Sequence, residues 1–192
     1  MAAAAAGVAA LRRAGQMTML ALDQRGSLRT MLAAGRPESE VTDARLHTFK
    51  EQAVAALAPC ASAVLLDWPH GRDAMAALPP DTPLILAADQ LRQRPGYLPG
   101  RLEHVEEFSC RMTERITQPW VVLSSGVQAE DVAGAVRRAV AGGASGFLAG
   151  RAIWADAARS GNPAEALGSV SVPRPRALAD IARQAGRSRP AL

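Results

Sequence analysis

Short apolar runs that end in polar or small residues recur along this chain of 192 residues. Three of them, 17–23, 61–67 and 83–89, each end on an aspartate. Two more, 119–126 and 146–150, end in serine and glycine. Short apolar runs bounded by such residues are typical of buried parallel strands. The pattern therefore predicts five strands of a parallel sheet with right-handed crossovers and a site at their carboxyl ends.

Segments with helical periodicity separate these strands. The clearest helix begins after Thr42 and Asp43, which offer an N-cap. Its apolar face consists of Leu46, Phe49, Ala53 and Leu57. Lys50 lies off that face, so we expect it to be solvated on the outside of the fold. The other predicted helices span residues 1–13, 27–34, 72–77, 102–116, 129–141 and 177–184, with a loop at 160–175.

Composition narrows the possible partners. The formal net charge is +4, and Lys50 is the one lysine among 22 basic residues. The arginines are scattered and several stand beside acids at helical spacing, so we predict no nucleic-acid partner. No run is long enough to cross a membrane. Cys60 and Cys110 lack the spacing of a redox or metal motif, which predicts reduced, buried thiols in a cytoplasmic protein.

The strand ends carry the candidate chemistry. Ser124, Ser125, Gly126 and Gly150 are expected to leave backbone amides uncovered, and Arg151 adds a guanidinium beside them. Amides and a guanidinium together favour an anion. Two neighbouring strands that end in this way are typical of the phosphate site after strands seven and eight of a (β/α)8 barrel.

The end of the first strand is a second candidate. Asp23, Gln24 and Arg25 are bunched there and do not alternate along the strand, which indicates a site. The alternative is a charged cap in which Asp23 and Arg25 are solvated or paired.

The histidines do not indicate a metal. His47, His70 and His104 lack the spacing of zinc ligands, so we expect surface or turn residues. We predict neither a metal nor any other cofactor.

Several of these segments resemble one known family. Residues 19–25, 59–67 and 86–89 resemble strands one to three of the class I aldolases that include tagatose-1,6-bisphosphate aldolase and sulfofructosephosphate aldolase. Residues 119–127 and 144–154 resemble strands seven and eight, and are closest to the sulfofructosephosphate branch. The resemblance covers nearly the whole chain except residues 92–101.

The resemblance implies a fold and an activity. Members of the family are (β/α)8 TIM barrels that cleave a ketose phosphate, such as tagatose 1,6-bisphosphate or 6-deoxy-6-sulfofructose 1-phosphate, to dihydroxyacetone phosphate and an aldehyde. They use a Schiff-base lysine on strand six, and the sulfofructosephosphate branch acts in sulfoquinovose degradation. Here strands four to six have no counterpart. The chain is thus expected to be one α/β domain, 1–192, an incomplete barrel truncated internally near 92–101.

The family's binding residues can be carried over, whereas its catalytic residues cannot. The resemblance assigns the substrate phosphate to Ser125, Gly126, Gly150 and Arg151, and the rest of a small sugar phosphate to Asp23, Gln24, Arg25 and Asp89. No catalytic residue is predicted, because the strand-six lysine is missing and Lys50 is placed outside the fold.

Three hypotheses follow. The chain is an aldolase-family protein, inactive alone; a non-catalytic phosphate-binding or partner protein; or a truncated gene product. The third would not fold stably alone. For a folded chain we expect a partly open sheet with two free edges. Its inner face would be exposed, covered by the helix at 102–116, or covered by another chain, as in a homo-oligomer.

Overall fold

A computed structural model of the protein describes residues 16–87, 102–115, 118–124 and 129–188. The predicted helix at 1–13 and three predicted site residues, Asp89, Ser125 and Gly126, lie outside these ranges.

Five strands form one parallel sheet. They are β1 (Met17–Leu22), β2 (Ala63–Asp67), β3 (Leu84–Ala87), β4 (Val121–Leu123) and β5 (Gly146–Ala149). Their order in the sheet is β3-β2-β1-β5-β4, so β1 is central and β3 and β4 are the edges. In β1, Leu20 pairs with Val64 of β2 and with Ala149 of β5. The predicted α/β class and the parallel pairing are confirmed, and among the described residues β3 and β4 each pair on one side only.

Helices connect the strands. They are α1 (Gly26–Ala33), α2 (Asp43–Leu57), α3 (Trp68–Gly71), α4 (Leu102–Arg115), α5 (Ala129–Ala141), α6 (Arg151–Arg159), α7 (Pro163–Ala166) and α8 (Pro173–Arg187). Short 3-10 segments occupy Glu38–Glu40, Ala58–Cys60 and Asp73–Ala77, and a π-helical turn occupies Leu167–Ser171. Within the described ranges, no helix has the length and apolarity to cross a bilayer.

The loop predicted at 160–175 is wrong, because this segment is mostly helical. It contains α7, the π-helical turn and the start of α8. Pro163 and Pro173 stand at the first positions of their helices, where the missing N–H has no helical partner to lose. A proline there starts a helix.

The main core lies between the sheet and its helices. Leu20, Leu66 and Phe147 point into it from three neighbouring strands. Trp154 of α6 is fully buried there, and its ring meets Phe49 of α2 edge to face at a centroid distance of 5.7 Å. These contacts hold α6 and α2 against each other and against the sheet.

A smaller cluster lies on the opposite, inner face of the sheet. It consists of Met17, Met19 and Ala63, with Ile85, Val121 and Leu148 packed against them.

Helix α4 packs against α5 in the outer helical layer. The Thr113 hydroxyl donates to Gly142 O over 2.8 Å, and a methyl group on Gly142 would lie 2.5 Å from Ser109 Cβ. The suggestion that this helix covers the inner face is therefore wrong.

The outer face is incomplete at the β3 edge. Leu84 pairs with Val64 and Leu86 with Leu66, so both leucines point to the helical side of the sheet. They are 41% and 45% exposed, although their partners on β2 are fully buried. The helical layer formed by the described residues therefore stops short of β3.

Candidate anion-binding site

The carboxyl ends of β1 and β5 abut. Asp23, Gln24 and Arg25 follow β1, and Gly150 and Arg151 follow β5. A methyl group on Gly150 would lie 2.8 Å from Ala21 O and 3.1 Å from the Gln24 side-chain nitrogen. Because such distances are shorter than real Cβ contacts, glycine is needed where the two tips meet. The sequence prediction that these residues belong to one site is compatible with this placement.

Arg151 begins helix α6, which the sequence analysis did not predict. Gly150 O accepts the first helical bonds, from the amides of Ile153 at 2.8 Å and Trp154 at 3.3 Å. The amides of Arg151 and Ala152 precede these bonds and have no intrahelical acceptor. The site therefore has the positive end of a helix as well as a strand tip.

The Arg151 guanidinium is uncommitted. It is half-buried, and it forms no hydrogen bond or ion pair in the part of the chain that the structure describes. A cation in this setting is available to an anion bound at the amides beside it.

Ser124 does not offer the free amide that the sequence analysis expected. Its N–H donates to Leu148 O over 3.2 Å, which extends the pairing of β4 with β5. Ser125 and Gly126 lie beyond the described residues, so their part in the site stays a prediction.

Arg25 is already paired. Its Nε donates to Asp67 Oδ2 over 3.1 Å, and the Asp67 carboxylate is fully buried at the end of β2. The pairing alternative for Arg25 is thus confirmed, although the partner is Asp67 and not Asp23. Its side chain is still 26% exposed, so part of it reaches solvent beside the strand tips.

Lys50 is not solvated, and that prediction is wrong. Its side chain is fully buried, and its ammonium donates to Asp67 Oδ1. Lys50 lies four residues after Leu46 and three before Ala53 on α2, which places it within the buried arc of that helix. The available signal was Asp67, because an acid at the end of a buried strand needs a counter-charge.

These contacts shift the charges of the cluster. Burial raises the pKa of Asp23 above its usual 3.8, although its own backbone N–H and the charge of Lys50 partly oppose the shift. Burial also acts on Asp67, but the Lys50 bond and charge, with the His70 amide and Arg25, outweigh it and lower its pKa. Burial lowers the pKa of Lys50, and Asp67 limits that change. Asp67 is therefore the fixed anion of the cluster.

Gln24 supplies a neutral acceptor at the same edge. Its Oε1 is buried and has no hydrogen-bond partner among the residues that the structure describes. Buried polar atoms are nearly always bonded, so an unpaired acceptor between two strand tips suits a donor such as a sugar hydroxyl.

Two of the histidines are more enclosed than predicted. His47 Nδ1 lies 2.9 Å from Asp73 Oδ2, and His70 Nε2 lies 3.5 Å from Asp43 Oδ1. Their rings meet edge to face at 5.6 Å. Both side chains are half-buried, so each is a partly exposed residue with an acidic neighbour. Within the described ranges, no three histidine, cysteine or acidic side chains are grouped as metal ligands.

The cysteines are free, as predicted, but they are not both buried. Cys60 is half-buried and Cys110 is exposed.

Comparison with known proteins bears on the second half of the chain. Residues 92–156 match the family model described as DeoC/LacD family aldolase. The matched region holds β4, β5, Gly150 and Arg151, and it includes residues 92–101, which the sequence analysis had set aside. It is about a third of the chain.

A curated relative supports the DeoC/LacD match. The chain is 42% identical over 91 residues to "Tagatose 1,6-diphosphate aldolase 2" of Enterococcus faecalis. The alignment covers 46% of this chain and 26% of the relative, so the chain spans about a quarter of that protein's length. Both comparisons support an aldolase family for this chain.

Proposed function

We propose that this chain is an aldolase-type sugar-phosphate-binding protein built as an incomplete (β/α)8 barrel. Its five strands would be barrel strands one to three, seven and eight, in one domain that is shortened near residues 92–101. The observed order β3-β2-β1-β5-β4 supports this assignment, because strands one and eight are neighbours in a closed barrel. The DeoC/LacD match over β4 and β5 supports it independently.

The uncommitted Arg151 at the start of α6 carries the proposal. It stands beside the first-turn amides of that helix, next to Gly150, and it has no partner within the described residues. We infer that Gly150 and Arg151 bind the substrate phosphate, together with Ser125 and Gly126. Asp23, Gln24, Arg25 and Asp89 would surround the carbonyl and hydroxyl groups.

The ligand class follows from the family. Tagatose 1,6-bisphosphate is the substrate type suggested by the Enterococcus faecalis relative. A sulfofructose phosphate is suggested by the motifs at 119–127 and 144–154, and an arginine suits a sulfonate as well as a phosphate. The aldol products would be dihydroxyacetone phosphate and an aldehyde.

The chain is not expected to cleave the sugar alone. Schiff-base chemistry requires an amine that the ketone can reach, and the sequence contains one lysine. Lys50 is fully buried and held by Asp67. The chain would therefore keep the binding half of an aldolase without its nucleophile.

Titration with inorganic phosphate, followed by amide NMR, tests the binding half. Shifts centred on Gly150, Arg151 and Ala152 are expected, with weak affinity because one wall of the site is open to water. An unperturbed spectrum from a folded chain would refute it. A retro-aldol assay on tagatose and sulfofructose phosphates tests the rest, and turnover by the purified chain would overturn the proposed inactivity.

A further inference from the structure

One carboxylate joins two cations beneath the strand tips. Asp67 Oδ1 accepts from Lys50, and Asp67 Oδ2 accepts from Arg25 Nε at 3.1 Å. The backbone amide of His70 also donates to Oδ2, at 3.2 Å. Each oxygen of Asp67 thus has its own cationic partner, and the orientation of the carboxylate is fixed from both sides.

The two cations differ in what they can reach. Lys50 is fully buried and its ammonium donates to Asp67, whereas the Arg25 side chain is 26% exposed at the end of β1. The Arg25–Asp67 bond uses Nε, so the N–H groups of the two terminal nitrogens are donors that this bond leaves unused. Arg25 is therefore the member of the network that can face a ligand.

We propose that Lys50 is a positioning residue for Arg25: by holding Oδ1 of Asp67, it aims the carboxylate whose other oxygen holds the Arg25 guanidinium at the strand tips. This role rests on the proposed function only in that Arg25 is one of the binding residues. Lys50 touches no ligand itself. Its charge also balances the cluster, in which Asp23 and Asp67 face Lys50 and Arg25.

Loss of Lys50 should change the hydrogen bonds of Asp67 first and the orientation of Arg25 as a result. Asp67 would keep its bonds from Arg25 and His70 but lose the partner on Oδ1, so its carboxylate could rotate. A buried carboxylate with one oxygen unsatisfied is costly and rearranges to share its remaining donors. The Arg25 side chain would then lose its single orientation.

The NMR signal of the Arg25 Nε–H reports this orientation directly, without any ligand. In the unmodified chain we expect a resolved, downfield signal that exchanges slowly with solvent. Lys50→Met should move it toward the position of a free arginine and speed its exchange by about tenfold, the loss expected for one charged hydrogen bond. Lys50→Gln keeps a donor for Oδ1 without the charge, so it should give an intermediate signal. It replaces Lys50→Met as the test variant if Lys50→Met does not fold.

Phe49→Leu is the matched control, because Phe49 is the neighbouring buried residue on α2 and packs on Trp154 instead of Asp67. It should lower stability and leave the Arg25 signal in place. The proposal is overturned if both Lys50 variants keep the unmodified signal, or if Phe49→Leu shifts it equally. Phosphate titration of the unmodified chain separates the two claims, since failure of the proposed function would appear there and leave the Arg25 signal intact.

Discussion

Gly150 and the Gln24 side chain approach so closely that a single added methyl group would lie 3.1 Å from the Gln24 nitrogen and 2.8 Å from Ala21 O. Gly150→Ala should therefore push β1 and β5 apart at their tips. We expect a loss of about 1–3 kcal/mol in the free energy of unfolding by urea, the usual cost of overpacking. Gly161→Ala is the control, because a methyl group there meets nothing within 4 Å. Equal stability of the two variants would contradict the close approach.

The indole of Trp154 ties α6 to the central strand. Its Nε1 donates to Ala21 O over 2.9 Å in a buried setting. Trp154→Phe should leave that carbonyl without this donor and open space beside Phe49, costing about 1–3 kcal/mol of unfolding free energy. Trp68→Phe, at a side chain that is 56% exposed, should change little. If both substitutions cost the same, the indole bond contributes nothing measurable.

Covalent trapping tests whether the chain has an amine that can form a Schiff base with the ketone. Dihydroxyacetone phosphate with borohydride should leave no adduct above background, because Lys50 is buried and engaged by Asp67. Intact-mass spectrometry gives the answer, with Lys50→Arg as the lysine-free reference. A stoichiometric adduct that disappears in Lys50→Arg would show that the amine reaches the site and would reverse the proposed inactivity.

Asp23 and Asp67 should titrate on opposite sides of 3.8, with Asp23 above and Asp67 below. Stability from Asp67 is then present above the unfolded value and is lost as the pH falls through the lowered folded pKa. Asp23 has the opposite sign: its favourable contribution is present below 3.8 and is lost as the pH rises through its raised pKa. Carboxyl carbon NMR measures both groups.

Unfolding experiments give the control for this pH dependence. Asp67→Asn should flatten the acid limb of the stability curve, whereas Asp180→Asn, at an exposed side chain, should not. An unchanged acid limb in Asp67→Asn would contradict the assignment.

The exposed leucines of β3 predict self-association. Leu84 and Leu86 lie on an edge strand whose outer face is only partly covered, so the chain should form larger species as its concentration rises. Leu86→Lys should shift sedimentation toward the monomer. Val170→Lys places the same charge at a residue of similar exposure, 42%, on the π-helical turn away from this edge, and should not. A parent chain that stays monomeric at high concentration would contradict this prediction.

The strands were predictable because each is a block of apolar residues that ends in polar or small residues. The helix predicted at 129–141 has the bounds of α5. The burial of Lys50 was not predictable from periodicity alone, because lysine is usually exposed and its counter-charge, Asp67, lies outside α2 at the end of β2. The helix beginning at Arg151 was missed for a related reason: the Trp154 hydrogen bond that ties it to the sheet reaches Ala21, 133 positions away in the sequence. In both cases the decisive partner, Asp67 or Ala21, is distant in sequence.

The central position of β1 has a consequence for the order of folding. Its Ala21 carbonyl receives the Trp154 indole from 133 positions along the chain, and its Leu20 pairs with Ala149. Contacts of such separation are slow to form, because a long loop must close before they contribute. As the chain leaves the ribosome, β1 can pair with β2 well before β5 exists, and one side of the central strand stays open during that interval. Chaperone demand during synthesis should therefore depend on how quickly the segment carrying β5 follows.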